Sequence, residues 1–472
     1  MPVLTHPLPD VSAADAREIL ATHWKLAGTI HPLPGERERN FHVYTASGLE
    51  FVLKVASPLE DAAVIEFQVA ALEHLAGVAP DAPAPRVVPS AEGTRVVAVG
   101  ELTARLLTWL PGRPMAEVTP HSAEMLRSLG RSLGTITSGL SSFEHRAARR
   151  SLKWDLAAAG WIADHLDRVT DKTLRERIER VLAEFTRHVR PALADLRSSV
   201  VHNDANDYNV LVHVTADGAL EPSGIIDYGD LLFSHPACDL AIAIAYAMMG
   251  KPDPITAAAR VVSGYHESYP LTGEELALLF PLARTRLAVS LVNSALQADV
   301  SPDNEYLQVS AGGAARLLEH LDAIHPRMAE YRFRDACGLP PCPVSDSVTS
   351  WMAANRHRFA PLLGSVLTSD EVHVHDFSVS SLTIGALDEW RDQRRFSELV
   401  DRELALTGAR AGIGRYDEVR AIYTTDLFRV EGNDGPEWRT VHVGIDVSAP
   451  PATAIHAPLD GTIHSLDRKS VV

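Results

Sequence analysis

The sequence predicts an α+β chain: a small mixed lobe, a larger helical lobe and a partial C-terminal β-rich module. Three observations carry this. Residues 12–110 hold short β-rich runs around a single long helix, and residues 111–325 are dominated by long apolar-periodic helices. From about residue 411 the pattern changes to short alternating runs rich in Gly, Thr, Val and Pro. Residues 326–410 connect the helical lobe to that module. A chain of 472 residues is long enough for two or three domains.

The elements follow in order. Ser12-Ala13-Ala14-Asp15 opens a capping-box helix that runs to about Trp24. Phe41–Thr45 and Phe51–Val55 read as a hairpin around Ala46-Ser47-Gly48. Asp61–Ala76 reads as a helix with Ile65, Val69, Leu72 and Ala76 on one stripe. Pro80, Pro83 and Pro85 break it. Strands are expected at Arg95–Val99 and Thr103–Leu110 before Pro111-Gly112 punctuates the chain. Helices dominate from Ser122, and Pro326, Pro340, Pro341 and Pro343 mark the next boundary.

The formal charge of −17 argues against a non-specific nucleic-acid or anionic-membrane binder, since both need a basic surface. The first residues lack the basic and apolar segments of a signal peptide. Leu240–Met249, the longest apolar stretch, is about half a membrane span and reads as a buried helix. With three cysteines only, free thiols in a reducing compartment are expected: Cys238 buried, and Cys337 and Cys342 without partners for a metal site. The expected location is cytoplasmic.

The chemistry concentrates in Val201-His202-Asn203-Asp204-Ala205-Asn206-Asp207-Tyr208-Asn209 and in Gly224-Ile225-Ile226-Asp227-Tyr228-Gly229-Asp230. Phosphoryl transfer needs a carboxylate to accept or orient the substrate hydroxyl. It also needs an amide oxygen and a second carboxylate to hold Mg²⁺ against phosphates. Asp204 is the candidate base, and Asn209 and Asp227 are the candidate Mg²⁺ ligands. A loop carboxylate or capping amide is the plain alternative for each, but the joint spacing favours the catalytic assignment. His202 is expected to hold the loop by hydrogen bonds. Asp230 and Asp239 are expected to be structural.

These two segments resemble the catalytic core of the aminoglycoside phosphotransferase-like kinases, a branch of the protein-kinase-like fold acting on small molecules. Asn40-Phe41-His42-Val43-Tyr44 and Ala241-Ile242-Ala243-Ile244-Ala245-Tyr246 narrow the resemblance, over about residues 12–325, to the hydroxylysine kinase branch. The fold implied is two-lobed and kinase-like. The reaction implied is transfer of the γ-phosphate of ATP or GTP to a hydroxyl of an amino acid or amino alcohol. Aminoglycoside, homoserine and choline-type acceptors stay open, as does a non-catalytic nucleotide-binding scaffold. Lys54, in the apolar strand Phe51–Val55, is implied to meet the phosphates and a helix glutamate, with Glu66 the first candidate and Glu73 the second. Thr108-Trp109-Leu110 fits the hinge against the base. The loop 33–40 lies where the phosphate-covering loop belongs, with Arg37 or Arg39 as candidate phosphate contacts. Trp154, Asp155, Asp207, Tyr208 and Glu267 are the candidate substrate contacts, Asp207 for an amine.

Thr440-Val441-His442-Val443-Gly444-Ile445-Asp446 and Ala457-Pro458-Leu459-Asp460-Gly461 resemble the opening of an M23-like (lysostaphin-type) metallopeptidase. His442 and Asp446 would be its first two Zn²⁺ ligands. The later H-x-H that completes that site does not occur before Val472. His373-Val374-His375 lies upstream, on the wrong side, so bound Zn²⁺ and peptidase activity are not expected. The domain order also resembles fusion proteins that end in a pyridoxal-phosphate phospho-lyase-like domain, which implies such a partner, fused or associated.

Overall fold

The computed structural model describes residues 8–35, 37–298, 305–381 and 392–462. They fall into two compact units, Met1–Pro341 and Cys342–Val472.

The first unit opens with α1 (Ala13–His23). Its capping box forms as expected: Ser12 Oγ accepts from Asp15 N, and the Asp15 carboxylate accepts from Ser12 N. A six-stranded antiparallel sheet follows, built from β1 (Gly28–Leu33), β2 (Glu38–Thr45), β3 (Glu50–Ala56), β4 (Val87–Val88), β5 (Val97–Val99) and β6 (Leu102–Thr108). The order is β1-β2-β3-β6-β4, with β5 also on β6. The predicted β2–β3 hairpin is present, and its turn closes through Gly48 N to Thr45 O at 3.0 Å. Strand period two sends Phe41, Val43, Leu53, Val55, Ala104 and Leu106 into a core with Ile19, Leu20 and Trp24. The alternate positions put Glu38, Lys54 and Arg105 on the other face, since Lys54 pairs in register with Asn40 and Arg105. Strands β1 and β4 escape sequence reading, because one carries Thr29, His31 and Pro32 and the other has only two residues.

α2 (Ala62–Val78) meets this polar face, where Gln68 Oε1 accepts from Arg105 Nη2 at 2.7 Å. The hinge follows β6. Gly112 adopts φ 136° there, and a Cβ would collide with the Val212 carbonyl.

The larger lobe contains β7 (Arg113–Pro114), α3 (Ala123–Leu140), a long 3₁₀ stretch at Leu156–Arg168, α4 (Lys172–Glu184) and α5 (Arg190–Leu193). Then come β8 (Ser199–Val201), β9 (Val210–Val214), β10 (Leu220–Ile225), β11 (Leu232–Ser234) and α6 (Pro236–Ala247). α7 (Pro254–Ser268), α8 (Gly273–Ala298), α9 (Glu305–Asp322) and α10 (Pro326–Ala336) complete it. α3 and α7 cross backbone to backbone: a Cβ on Gly130 would strike Val261 O, and one on Gly264 would strike Arg127 O. α6 is buried almost throughout, as its apolar run requires, and no described helix is long and apolar enough to cross a membrane. α10 packs on α7 and α8, so this unit runs past the expected boundary at 325 to Pro341.

In the second unit, Val372–Val374 pairs parallel with Ala411–Gly414, which pairs antiparallel with Asp446–Ser448. The β-rich module therefore reaches back to residue 372 rather than beginning at 411. The helix Gln393–Thr407 contributes Phe396, Leu399 and Val400 to a small core around Phe377.

Candidate active site

The catalytic loop spans residues 202–209 between β8 and β9, and its hydrogen bonds explain why it holds one shape. Asn203 is buried in the left-handed region at φ 68°. Its N–H donates to Asp239 Oδ1 at 2.7 Å. Asp239 lies on α6, so the buried carboxylate ties helix to loop, the structural role expected of it. Burial lifts its carboxyl to about 7, although backbone N–H groups of Asn203 and His202 oppose the rise. His202, fully buried, meets Ile226 O through Nε2 at 3.1 Å, and burial lowers its pKa. Ile226 N donates to Asn209 O at 2.9 Å, joining the catalytic loop to the metal loop.

Asp204 is the focus. Asn206 Nδ2 and Asn209 Nδ2 donate to its Oδ2 at 3.0 and 2.9 Å. Arg286 Nη2 meets its Oδ1 at 3.1 Å. Burial raises the carboxyl to about 7, against the pull of the Arg286 charge and with a further push from Asp230. A carboxylate poised there is suited to general-base work at neutral pH.

The metal loop places Asp227 at φ 63°, ψ 77°, where its Oδ1 accepts from Gly229 N at 3.2 Å. Its side chain is half exposed and 3.7 Å from Lys54 Nζ, and the Lys54 charge holds its carboxyl below the ordinary range. With Nδ2 spent on Asp204, Asn209 keeps its oxygen for a cation. A carboxylate and an amide oxygen form a hard donor set, which fits a divalent ion that also binds phosphate.

Lys54 does not pair with Glu66. Its Nζ lies 3.1 Å from Glu38 Oε2, on the neighbouring strand. Arg105 grips the same carboxylate through both terminal nitrogens, at 2.6 and 3.0 Å. Burial alone would raise Glu38, but Lys54 and Arg105 outweigh it and the carboxyl falls to about 2. Glu66 points outward and comes within 3.8 Å of Arg146, and Glu73 pairs with Arg95. The reason is helical period. Gln68 is the α2 residue that faces the sheet, and Glu66, two positions earlier, lies roughly 200° away around the axis. Glu73 is seven positions from Glu66 and shares its outward stripe.

Of the two loop arginines, Arg37 reaches the site, 2.9 Å from Asp230 Oδ1, whereas Arg39 donates to Pro9 O at 3.3 Å. Trp109 occupies the hinge, its N–H donating to Glu50 O at 3.1 Å and its ring stacked on His42 at 4.0 Å. Among the substrate candidates, Trp154 lies under the Arg286 guanidinium, with 4.6 Å from Cζ to the ring centre. Burial lifts the Asp207 carboxyl to about 6, and Tyr208 is exposed. Asp155 instead caps the 3₁₀ stretch and accepts from Ser234 at 2.8 Å. Glu267 is bound by Arg127 and Arg131 across the α3–α7 pair.

Sequence reading missed Glu38, Arg286 and Arg150. Arg150 donates to Leu231 O at 2.8 Å and to Gly229 O, fastening the far side of the metal loop. Only Glu38 carried a signal, as a carboxylate two residues before the Asn40–Tyr44 motif.

The C-terminal pair does meet, with His442 Nε2 at 3.4 Å from Asp446 Oδ2. However, Arg420 binds Asp446 at 2.6 Å and Tyr423 Oη lies 2.6 Å from His442 Nδ1. Among the described residues no His, Cys, Asp or Glu completes a three-ligand set around this pair.

The chain matches the phosphotransferase enzyme family over residues 29–278. It is 29% identical over 321 residues to hydroxylysine kinase of Mus musculus, covering 62% of this chain and 84% of that one. It is 28% identical over 332 residues to hydroxylysine kinase of Danio rerio, covering 66% and 92%. Among solved structures it resembles the amicoumacin kinase hAmiN in complex with AMP-PNP, Ca²⁺ and Ami, with a TM-score of 0.50 and 14% identity over 66% of this chain and 94% of that one. That likeness shows the two-lobed kinase-like fold. The M23-like resemblance of the C-terminal region gains no support from these relatives. The family match takes in Lys54, Asp204, Asn209 and Asp227, and the chain belongs to the phosphotransferase enzyme family.

Proposed function

We propose that this enzyme transfers the terminal phosphoryl group of ATP or GTP to a hydroxyl of an amino acid or amino alcohol, with a hydroxylysine-like acceptor. The observation that carries the reaction is Asp204. It is a carboxyl raised to about 7 by burial, held by Asn206, Asn209 and Arg286 beside a metal-type aspartate that faces the partly buried Lys54. The similarity to hydroxylysine kinases supports the acceptor class.

In this reading Asp204 accepts or orients the acceptor hydroxyl's proton, and Asn206, Asn209 and Arg286 fix the direction in which its oxygens point. Lys54, anchored by Glu38, meets the nucleotide phosphates. Asn209 and Asp227 would hold Mg²⁺, which when bound neutralises charge on the phosphates. Trp109 and the adjoining hinge backbone flank the base. Since the phosphoryl transition state is loose, positioning and charge neutralisation supply most of the rate. A cytoplasmic location suits a nucleotide-dependent reaction. An amino alcohol phosphate product is the substrate class of a pyridoxal-phosphate phospho-lyase, the partner that the domain order suggests.

The test is consumption of ATP and of GTP against hydroxylysine, homoserine, ethanolamine, choline and an aminoglycoside, each product read by its mass shift of one phosphate. Hydroxylysine or an amino alcohol should turn over fastest, and Asp204→Ala should lower that turnover by roughly 10²–10⁴-fold. Preference for an aminoglycoside, or undiminished turnover in the variant, would refute the reading.

A further inference from the structure

The second unit contains a side-chain cluster that the phosphotransfer site does not use. His373 and His375 stand two residues apart at the strand Val372–Val374, so period two turns both imidazoles to one face. His375 N donates to Ile413 O at 2.9 Å, which extends the parallel pairing one residue beyond the strand. The two rings lie 4.8 Å apart at 84°. Glu403, on the helix Gln393–Thr407, reaches the same point. Its Oε2 is 2.7 Å from His375 Nδ1 and 3.4 Å from His373 Nε2. The three ligating atoms all lie within 4.8 Å of one another.

We propose that His373, His375 and Glu403 form a binding site for one Zn²⁺-class divalent ion. Two imidazoles and a carboxylate are the donors such an ion prefers, and three protein ligands leave its fourth position open. Ligands about 2.1 Å from a tetrahedral Zn²⁺ lie roughly 3.4 Å from one another. The His373–Glu403 separation already has that value, and the His375–Glu403 pair, at 2.7 Å, needs to open by roughly 0.7 Å. The surroundings fix the ligands. His375 is buried, its ring stacked on Phe377 at 4.9 Å and 10°. Its second nitrogen, Nε2, meets Ser448 Oγ at 3.1 Å, and an N–H donated there leaves the Nδ1 lone pair for a metal. His373 and Glu403 are only partly covered, with side-chain exposures of 27% and 15%, which gives an ion a way in. The site is distinct from the His442–Asp446 pair, whose Asp446 is already bound to Arg420.

The experiment uses the full chain, stripped with a chelator and returned to buffer with excess Mg²⁺ to occupy the phosphotransfer site. Zn²⁺ is titrated against a chromogenic indicator, and Co²⁺ is added separately to read the visible bands of a four-coordinate ion. One equivalent of Zn²⁺ should be retained. His373→Ala and Glu403→Gln should each weaken retention by about 100-fold or more, a loss at least as large as that seen on removing outer-shell partners. Both should dim the Co²⁺ bands, while His442→Ala should leave them intact. His375 is left unchanged because it is buried, and equal melting temperatures in chelator would show that the two variants fold. No saturable Zn²⁺ retention overturns the proposal. So does retention undiminished in both variants, or retention lost through His442→Ala instead.

Discussion

Lys54 Nζ lies 3.1 Å from Glu38 Oε2, so the lysine proposed to meet the phosphates is anchored by a neighbouring strand and not by the helix above it. Arg105 shares the carboxylate, which makes Glu38 the hub of one buried cation, Arg105, and one partly buried cation, Lys54. Glu38→Gln leaves the buried Arg105 without its counter-charge, while Lys54 still faces Asp227 at 3.7 Å, and should cost about 3 kcal/mol of stability. It should also raise KM for nucleotide. Glu66→Ala, on the outward stripe of α2, should stay within about 0.5 kcal/mol of wild type with unchanged kinetics. Thermal denaturation and steady-state kinetics on the two variants separate the roles.

The same carboxylate sets an acid limit. Its folded pKa, about 2, lies below the ordinary 4.5. Its stabilisation is therefore fully present above the unfolded value and is lost as pH falls from about 4.5 toward 2. Acid unfolding followed by circular dichroism should show that loss in wild type. Glu38→Gln should show a shallower dependence over the same window.

Asp204 must be ionised to act as a base, and its carboxyl stands at about 7. In the free enzyme kcat/KM should therefore rise with pH through about 7. Arg286→Met removes the charge that opposes the burial-driven rise, so this limb should move to higher pH. Asp204→Ala should lower turnover by roughly 10²–10⁴-fold and flatten the limb. The pH profile of kcat/KM for nucleotide, measured at limiting nucleotide, checks all three.

Asp227 and Asn209 differ in what they lose. Asp227→Asn removes the charge facing Lys54 and the hard anionic donor, so the Mg²⁺ concentration for half-maximal turnover should rise most in this variant. Asn209→Ala also frees Asp204 Oδ2 from its 2.9 Å hydrogen bond, so kcat should fall along with Mg²⁺ affinity. Mg²⁺ titrations of turnover distinguish the two.

Asn203 holds a left-handed backbone, and neither polar atom of its buried side chain has a hydrogen-bond partner among the described residues. Asn203→Gly suits that backbone and removes the buried amide, so stability should change by less than about 1 kcal/mol. Asn203→Val should destabilise by roughly 1–3 kcal/mol, because a β-branched residue is strained there. Melting temperatures of the two variants give the comparison.

The sequence by itself determined the local part of this protein. Asp204, Asn209 and Asp227 are legible as candidates because phosphoryl transfer calls for a carboxylate, an amide and a second carboxylate at short, fixed spacing within two loops. Lys54 is legible because a lysine within an apolar strand needs a reason to be there. The helices that carry the larger lobe are legible from their periodicity. The tertiary structure decided what lies across the chain from these residues. Arg286 comes from α8, 82 residues after the Asp204 it holds, and no local pattern connects the two. Sheet register put Glu38, not Glu66, against Lys54, since helical phase turned Glu66 outward and left Gln68 facing Arg105. In the second unit, strand pairing and one helix brought His373, His375 and Glu403 together across a gap of 28 residues. Spacing along the chain reports which groups a reaction requires. Only packing decides which distant charge faces each of them, because that choice depends on which surfaces are buried together.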